Sequence, residues 1–480
     1  MKFQNIKRWA IFTLVVSLLS VSCSEDALDD VNKNPNNPID APSQFSITDI
    51  ITSSAFSVTG SDFAFYASTY IEHNVGVYNQ MYNAEKRVGE PISSSTYNNS
   101  WDAVYANLWR LKGVIARCSA GGKEDGNFNN LGIAQILTAY NLAILTDLMG
   151  DVPWTEAGRP EEIFQPKLDK QEAIYADIMR LLEDGIANLA KESEGYDPIT
   201  SQDLLFGGDL VLWEKFAYGL KARYKMRLSL KTPRYQEVID DINKSFEGSD
   251  EEASFKYDGA SGKNPFAVFF NDRDYFGASL SLHNKLIARN DPRDAKFFVK
   301  YDGTPTLEFA PNGNPVQEQG RYGVSALMQN TNPTYLLSYH ELQFLKAEAY
   351  ARLGNNTEAE NAIKKGIETA FVKVGLSTGA ADTYYNASVK SLFQTNPLKE
   401  IAVQKYVSFF EDEAVEAYND YRRLKAMGNG DFIELGNPGK FPLRFTYGSS
   451  DVTTNTNISA AYGDGQYVYT ENVWWAGGTR

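Results

Sequence analysis

The segment from Leu131 to Met149 is apolar nearly all round, and this constrains the fold more than any other feature of the chain. A helix that is hydrophobic on every side has no face to give to water, so other elements must enclose it. It is therefore expected at the centre of a helical core. Gly150, Asp151, Val152 and Pro153 follow it, and proline cannot continue the hydrogen-bond ladder, so the helix stops there. Beyond the leader, no stretch approaches the roughly 18 consecutive apolar residues of a membrane span.

Other segments supply the helices that would do the enclosing. Trp101, Val104, Tyr105, Leu108 and Ile115 recur at helical spacing, as do Ile174, Ile178, Leu181, Leu182, Ile186 and Leu189. Ser338 with Glu341 and Thr357 with Glu360 have capping-box spacing, each opening a helix. Between them, Leu353 followed by Gly354, Asn355 and Asn356 is turn chemistry. The second helix carries Ala359, Ile363, Ile367, Ala370 and Val374, with Gly366 permitting close approach. The pair resembles a tetratricopeptide-type hairpin, which buries its apolar face only by stacking on neighbours. The expected fold class is mainly α, with stacked tetratricopeptide-like hairpins as a scaffold. Loop-rich segments with short strands lie around 250–335 and 436–480, the latter including Tyr467, Val468 and Tyr469 as a strand. Loops on a rigid frame are where binding residues concentrate.

The amino terminus has the order of an export signal. Lys2, Lys7 and Arg8 precede an apolar run from Trp9 to Val21, with small residues Ser20 and Ser22 at its end. Residues 1–22 read as a signal peptide. Leu19 to Cys23 resembles a bacterial lipobox, which implies that Cys23 is acylated and becomes the mature terminus. An ordinary cleaved signal with an incidental cysteine is the other reading. Residues 23–44, with an acidic run and Asn34-Pro35-Asn36-Asn37-Pro38, read as a tether, and 45–480 as a single domain.

Composition narrows the function classes. The formal net charge is -15, and loss of the leader removes three positive charges and no negative one. Such a chain repels phosphate backbones, and no basic stripe interleaves with aromatics, so nucleic acid is not an expected partner. Of the two cysteines, Cys118 stands alone once Cys23 is acylated, and it reads as a small buried hydrophobe. No catalytic constellation stands out. The three histidines, His73, His283 and His340, are far apart, and His340-Glu341 lacks the second histidine of a zinc protease. No nucleophile elbow or phosphate loop is present. Asp250, Glu251 and Glu252 read as a solvated run rather than a calcium loop. The expectation is a protein without catalytic residues, metal or cofactor.

Several ordered segments together resemble the SusD/RagB family of outer-membrane nutrient-binding lipoproteins, its SusD-like branch in particular. They are DVNKNPNNP at 30–38, LMGDVPWTEA at 148–157, LWEKFAYGLKARYKMRLS at 212–229 and RNDPRDAKFF at 289–298. Further on come SYHELQFLKAEAYARLG at 338–354, IAVQKYVSFFEDEAVEAYNDYRRLKAMG at 401–428 and FPLRFTYGSSDVTTN at 441–455. Most of these motifs are packing devices. Trp213, Phe216, Leu220 and Tyr224 give a buried face, Lys221, Arg223, Lys225 and Arg227 suit a helix C-terminus, and Arg422 and Arg423 suit carboxylate partners in the frame. The resemblance implies a non-catalytic, surface-exposed outer-membrane lipoprotein. It would bind a glycan, or in some members a peptide, and deliver it to a SusC-like TonB-dependent transporter. A lipid-anchored hydrolase of the same nutrient and a purely structural surface protein are the competing readings.

A sugar-binding surface needs flat aromatic faces against C–H groups, with amides, carboxylates or arginine reading hydroxyls. Two segments supply that mix, 74–83 and 270–276. The expected stacking residues are Tyr78, Tyr82 and Tyr275, and the expected hydrogen-bonding residues are Asn79, Asn83, Asp272 and Arg273. Core packing or a transporter-facing position is the alternative for each tyrosine. Trp101 and the Trp474-Trp475 pair read as structural.

Overall fold

A computed structural model describes residues 41–159 and 161–480. The proposed signal peptide, Cys23 and most of the tether lie outside the described residues. Ser43–Arg480 forms one compact unit. The tether was expected to run to residue 44, but a helix already begins at Ser43, whose backbone N–H donates to Glu124 Oε1 at 3.1 Å.

The helices that matter here run in chain order as follows: α1 Ser43–Ser53, α2 Asp62–Tyr70, α3 Asn79–Glu85, α4 Asn98–Cys118, α5 Phe128–Met149 and α6 Gln171–Leu189. Then come α7 Leu210–Arg227, α8 Tyr235–Ile242, α9 Pro265–Arg273 and α10 Leu280–Ile287. The last group is α11 Tyr339–Arg352, α12 Asn356–Lys373, α13 Pro397–Ser408, α14 Ala414–Ala426, α15 Ser449–Thr454 and α16 Thr456–Tyr462. Three two-stranded antiparallel ladders interrupt them: β1 Asn74–Gly76 with β3 Phe276–Ala278, β2 Ala253–Phe255 with β6 Thr334–Leu337, and β4 Phe298–Val299 with β5 Val324–Ser325.

The enclosed helix is α5. It is the one described helix long and apolar enough to cross a membrane, yet it is buried within the fold. Its neighbours are α4 and α6. The α5–α6 crossing is close because Gly132 faces Gly185: a Cβ on Gly132 would lie 2.9 Å from the Gly185 carbonyl oxygen and 2.9 Å from Leu189. Ile174, Ile178, Leu181 and Leu182 on α6, and Trp101, Val104 and Leu108 on α4, complete the same core. Full burial of each such aliphatic side chain contributes about 1.5–3 kcal/mol. Trp101 is fully buried, its Nε1 donating to Asp451 at 2.7 Å, and Trp475 is fully buried in the carboxy-terminal segment.

The hairpin α11–α12 forms as the sequence predicts, with one change of cap. Ser338 caps α11 by accepting from Glu341 N, but α12 starts two residues earlier than a Thr357 cap implies. Asn355 is the cap and accepts from Glu358 N at 3.3 Å, because Gly354 in the left-handed region (φ 79°) has already turned the chain. Gly366 lies against the Phe344 ring. Ile363, Ile367, Phe371, Tyr384 and Ile401 form a separate apolar cluster around it.

Most of the charge inside this frame is paired. Arg223 holds Glu341 at 2.8 and 2.5 Å, and Arg227 holds Glu416 with Asp147 at 3.3 Å. These two arginines are buried partners of neighbouring helices, not cations at an exposed helix end. Arg423 grips Glu348 and Asp420. Arg422 does not pair with a carboxylate as expected; it donates to the backbone carbonyls of Leu443 and Asp147 and to Asn419 Oδ1. The strand expected at Tyr467–Tyr469 is instead a 3₁₀ turn, Gln466–Tyr469. Residues 436–480 contain no strand.

Candidate functional site

The β1–β3 ladder builds the site. Asn74 opposes Ala278, Val75 opposes Gly277 and Gly76 opposes Phe276. One further bond, Val77 N to Tyr275 O at 2.7 Å, extends the ladder. Tyr78 and Tyr275, 197 positions apart in the sequence, are thereby brought side by side.

 Their ring centroids lie 5.7 Å apart at 39°, and Tyr78 is 37% exposed. From beneath, Phe269 meets Tyr275 edge-on at 6.0 Å and stacks on Phe65 at 4.4 Å. Tyr275 is thus fixed by the core, and Tyr78 faces solvent.

The turn from β1 into α3 depends on Gly76, where a Cβ would lie 1.9 Å from the Met81 carbonyl oxygen. Asn79, the first residue of α3, takes a positive φ of 45°. In that pose its Nδ2 donates to the Tyr275 hydroxyl at 3.2 Å. Asn79, Tyr82 and Asn83 are spaced three and four residues apart on α3, so they share a helix face. Tyr82 is half-buried and Asn83 is exposed.

On the other segment, Asn264 caps α9 by accepting from Ala267 N at 2.9 Å, and Asp274 ends it in the left-handed region (φ 50°). Asp272 and Arg273 are exposed on the last turn of α9 and form no ion pair with any described residue. The structure therefore brings Tyr78, Asn79 and Tyr275 into direct contact. Tyr82, Asn83, Asp272 and Arg273 stand on the two flanking helices; Tyr82 N donates to the Tyr78 carbonyl at 3.0 Å, and the side chains of these four make no hydrogen bond to that trio.

A polar cavity of about 560 Å³ adjoins α9 and β3, lined among others by Asn271, Asp274, Lys300, Tyr301, Asp302 and Gln329. Burial, and then the neighbouring Asp274 carboxylate, pushes the Tyr301 phenol upward. Tyr301 and Gln329 come from parts of the 250–335 region that carry no periodic signal. Their one trace in sequence is the local wealth of Asn, Asp and aromatics. Asn271 and Asp274 sit in the segment that suggested Asp272 and Arg273, but the helix phase and the Asp274 turn decide which of them face the cavity.

Aromatic faces, amides and carboxylates can hold a polyhydroxylated ligand, and nothing at this site supplies a positioned nucleophile with a base. The histidines are engaged elsewhere. His73 is fully buried against the Tyr406 carbonyl at 3.0 Å, and burial lowers its pKa to about 3. His283 meets Asp294 at 2.7 Å, and His340 meets Glu413 at 2.7 Å. Among the described residues no group of His, Cys, Asp and Glu side chains converges to hold a metal. In the acidic run, Glu251 pairs with Lys215 at 2.8 Å and Glu252 accepts from Tyr339 N.

Comparisons with known proteins bear on the family and the fold. A SusD-like family model, described as starch-binding associating with outer membrane, matches residues 35–447. A SusD/RagB family protein from Bacteroides thetaiotaomicron is 43% identical, with a TM-score of 0.86 over 92% of this chain and 100% of that one. A chitin-binding SusD homolog from Flavobacterium johnsoniae shares the fold, at 20% identity and a TM-score of 0.72 over 90% of this chain and 98% of that one. No curated protein matches the chain. The family consists of outer-membrane-associated binding proteins, and the helical frame and motif order place this chain within it. The chain belongs to the SusD-like branch of the SusD/RagB family.

Proposed function

We propose that the protein is a lipid-anchored outer-membrane receptor that binds a glycan at the Tyr78–Tyr275 shelf and passes it to a SusC-like TonB-dependent transporter. The single observation that carries this reading is the half-exposed tyrosine pair with the Asn79 amide locked beside it. A pyranose ring would lay its C–H face on Tyr78, while Asn79 and Asn83 read hydroxyl groups. Tyr82 would extend the aromatic surface along α3. Asp272 and Arg273, free of ion pairs at the rim, would contact longer chains. The family description and the chitin-binding relative favour a sugar over a peptide.

Retention is the expected outcome at every step, since the site binds without transforming. Calorimetry with starch-derived and chitin-derived oligosaccharides, with a peptide panel alongside, tests the ligand class. Binding of peptides alone would overturn the glycan reading, and turnover of any ligand would overturn the receptor reading. For the anchor and partner, Cys23→Ala is expected to release the protein from the membrane fraction, and wild-type protein is expected to co-purify a barrel transporter from detergent extracts. Failure of both refutes the anchored delivery role.

A further inference from the structure

A second cavity, of about 570 Å³, opens between α10, α13 and the segment 432–436. Neither Tyr78 nor Tyr275 lines it. Its polar lining is mostly donors. Lys285 on α10 points its ammonium to Ser281 Oγ at 2.7 Å and leans over the Tyr406 ring at 5.8 Å. No carboxylate of a described residue lies within ion-pair distance of it, unlike its neighbours. Arg289 gives Nε and Nη2 to Glu400 at 3.1 and 3.0 Å, which leaves Nη1 over. Lys399 meets Glu434 at 3.4 Å.

Two more groups set the character of the cavity. Asn312 Oδ1 accepts from Ser281 N at 2.9 Å and Ser279 Oγ at 3.2 Å, which fixes the amide and leaves its buried Nδ2 without a partner. Glu72, the carboxylate behind Lys285, has both oxygens engaged by the backbone N–H groups of Gly436 and Asn437. Burial lowers the Lys285 pKa, Glu72 and Glu434 act the other way, and Arg289 adds to the lowering. A half-buried ammonium without a counter-ion and a buried amide donor without an acceptor are both costly. A ligand carboxylate in the cavity would supply the missing counter-ion of the ammonium.

We propose that this cavity binds the carboxylate of an acidic ligand, with Lys285 Nζ as its counter-ion and Arg289 Nη1 as a hydrogen-bond donor. The charge balance argues for a single negative charge: Arg289 and Lys399 already have carboxylate partners, and Lys285 alone does not. A doubly charged phosphate would face Glu434 with one charge unmatched. The carboxylate could belong to a uronic acid or to the end of a peptide, which share this chemistry.

The test is calorimetry on the full chain with glucuronate, N-acetylalanine, glucose and inorganic phosphate. Glucuronate, N-acetylalanine or both are expected to bind, with affinity falling as salt rises, while any glucose bound at the shelf carries no charge and shows no such salt dependence. Glucuronate alone would identify an acidic sugar as the source, and N-acetylalanine alone a peptide end. Lys285→Met is expected to weaken binding at least tenfold. Ala288→Trp, at an exposed position on the cavity wall, is expected to do the same by filling the space, and it serves if the first variant fails to fold. Absence of binding by both carboxylates, tighter binding of phosphate, or unchanged affinity in a folded variant overturns the proposal. Tyr78→Ala is expected to leave the carboxylate affinity unchanged, so this result stands apart from the glycan reading.

Discussion

Arg223 on α7 and Glu341 on α11 form a bidentate ion pair, at 2.8 and 2.5 Å, inside the helical frame. Both side chains are almost fully buried. Desolvation of two charges offsets much of their attraction, so the pair contributes less net stability than its geometry suggests. Removing one partner is a different matter. Glu341→Gln is expected to destabilise by about 3 kcal/mol, because a buried guanidinium loses its bidentate partner and keeps only Glu416 at 3.8 Å. Arg223→Met with Glu341→Leu is expected to cost less than the single change, as read by urea denaturation of wild type and the two variants.

The Gly132–Gly185 crossing gives a second expectation. Gly132→Leu forces α5 and α6 apart at the point where a Cβ already meets the facing backbone at 2.9 Å. Overpacking of this kind costs about 1–3 kcal/mol or more. A lower melting temperature, with helical content largely kept, is the expected readout by circular dichroism.

At the shelf, Tyr78→Ala removes an exposed stacking face that anchors no core contact deeper than Tyr275. Stacking is worth about 0.5–1.5 kcal/mol, so glycan affinity is expected to fall by roughly three- to tenfold with the melting temperature little changed. Tyr275→Phe keeps the ring and removes the hydroxyl that accepts from Asn79. A loss of similar size at most is expected, since one exposed neutral hydrogen bond contributes about 0.5–1.5 kcal/mol. Equal affinity in wild type and both variants, measured by calorimetry, excludes the shelf.

Two buried carboxyls make stability depend on pH. Burial pushes Glu411 from 4.5 up to about 8 and Glu85 up to about 7, and each has one oxygen without a partner. Between pH 5 and 7 the folded protein keeps protons on these groups that the unfolded chain releases. The folded state then binds more protons, so stability falls as pH rises from about 5 to about 8. On the acid side the sign reverses. Against the opposing effect of burial, Arg423 and Arg352 hold Glu348 down at about 2, and its contribution is lost as pH falls from 4.5 towards that value. Glu411→Gln is expected to flatten the alkaline limb in urea titrations across this range.

By itself the sequence determined the class of fold. All-round apolarity put α5 at the centre, helical spacing marked the buried faces of α4 and α6, and the Ser338 cap and Gly354 turn defined the α11–α12 hairpin. These signals are local, because caps, turns and periodicity act within a few residues. The two aromatic segments of the shelf were legible as composition. Their meeting was not, since three pairs of opposed residues in the β1–β3 ladder decide it and no periodic pattern marks strands so short. Tertiary packing alone decided that Tyr467–Tyr469 turns instead of pairing, that Arg422 serves backbone carbonyls, and that Lys285 is left without a counter-ion. The physical reason is common to all three: hydrogen bonds and charges are satisfied by whatever the fold brings near, and neighbours distant in sequence leave no mark on local pattern.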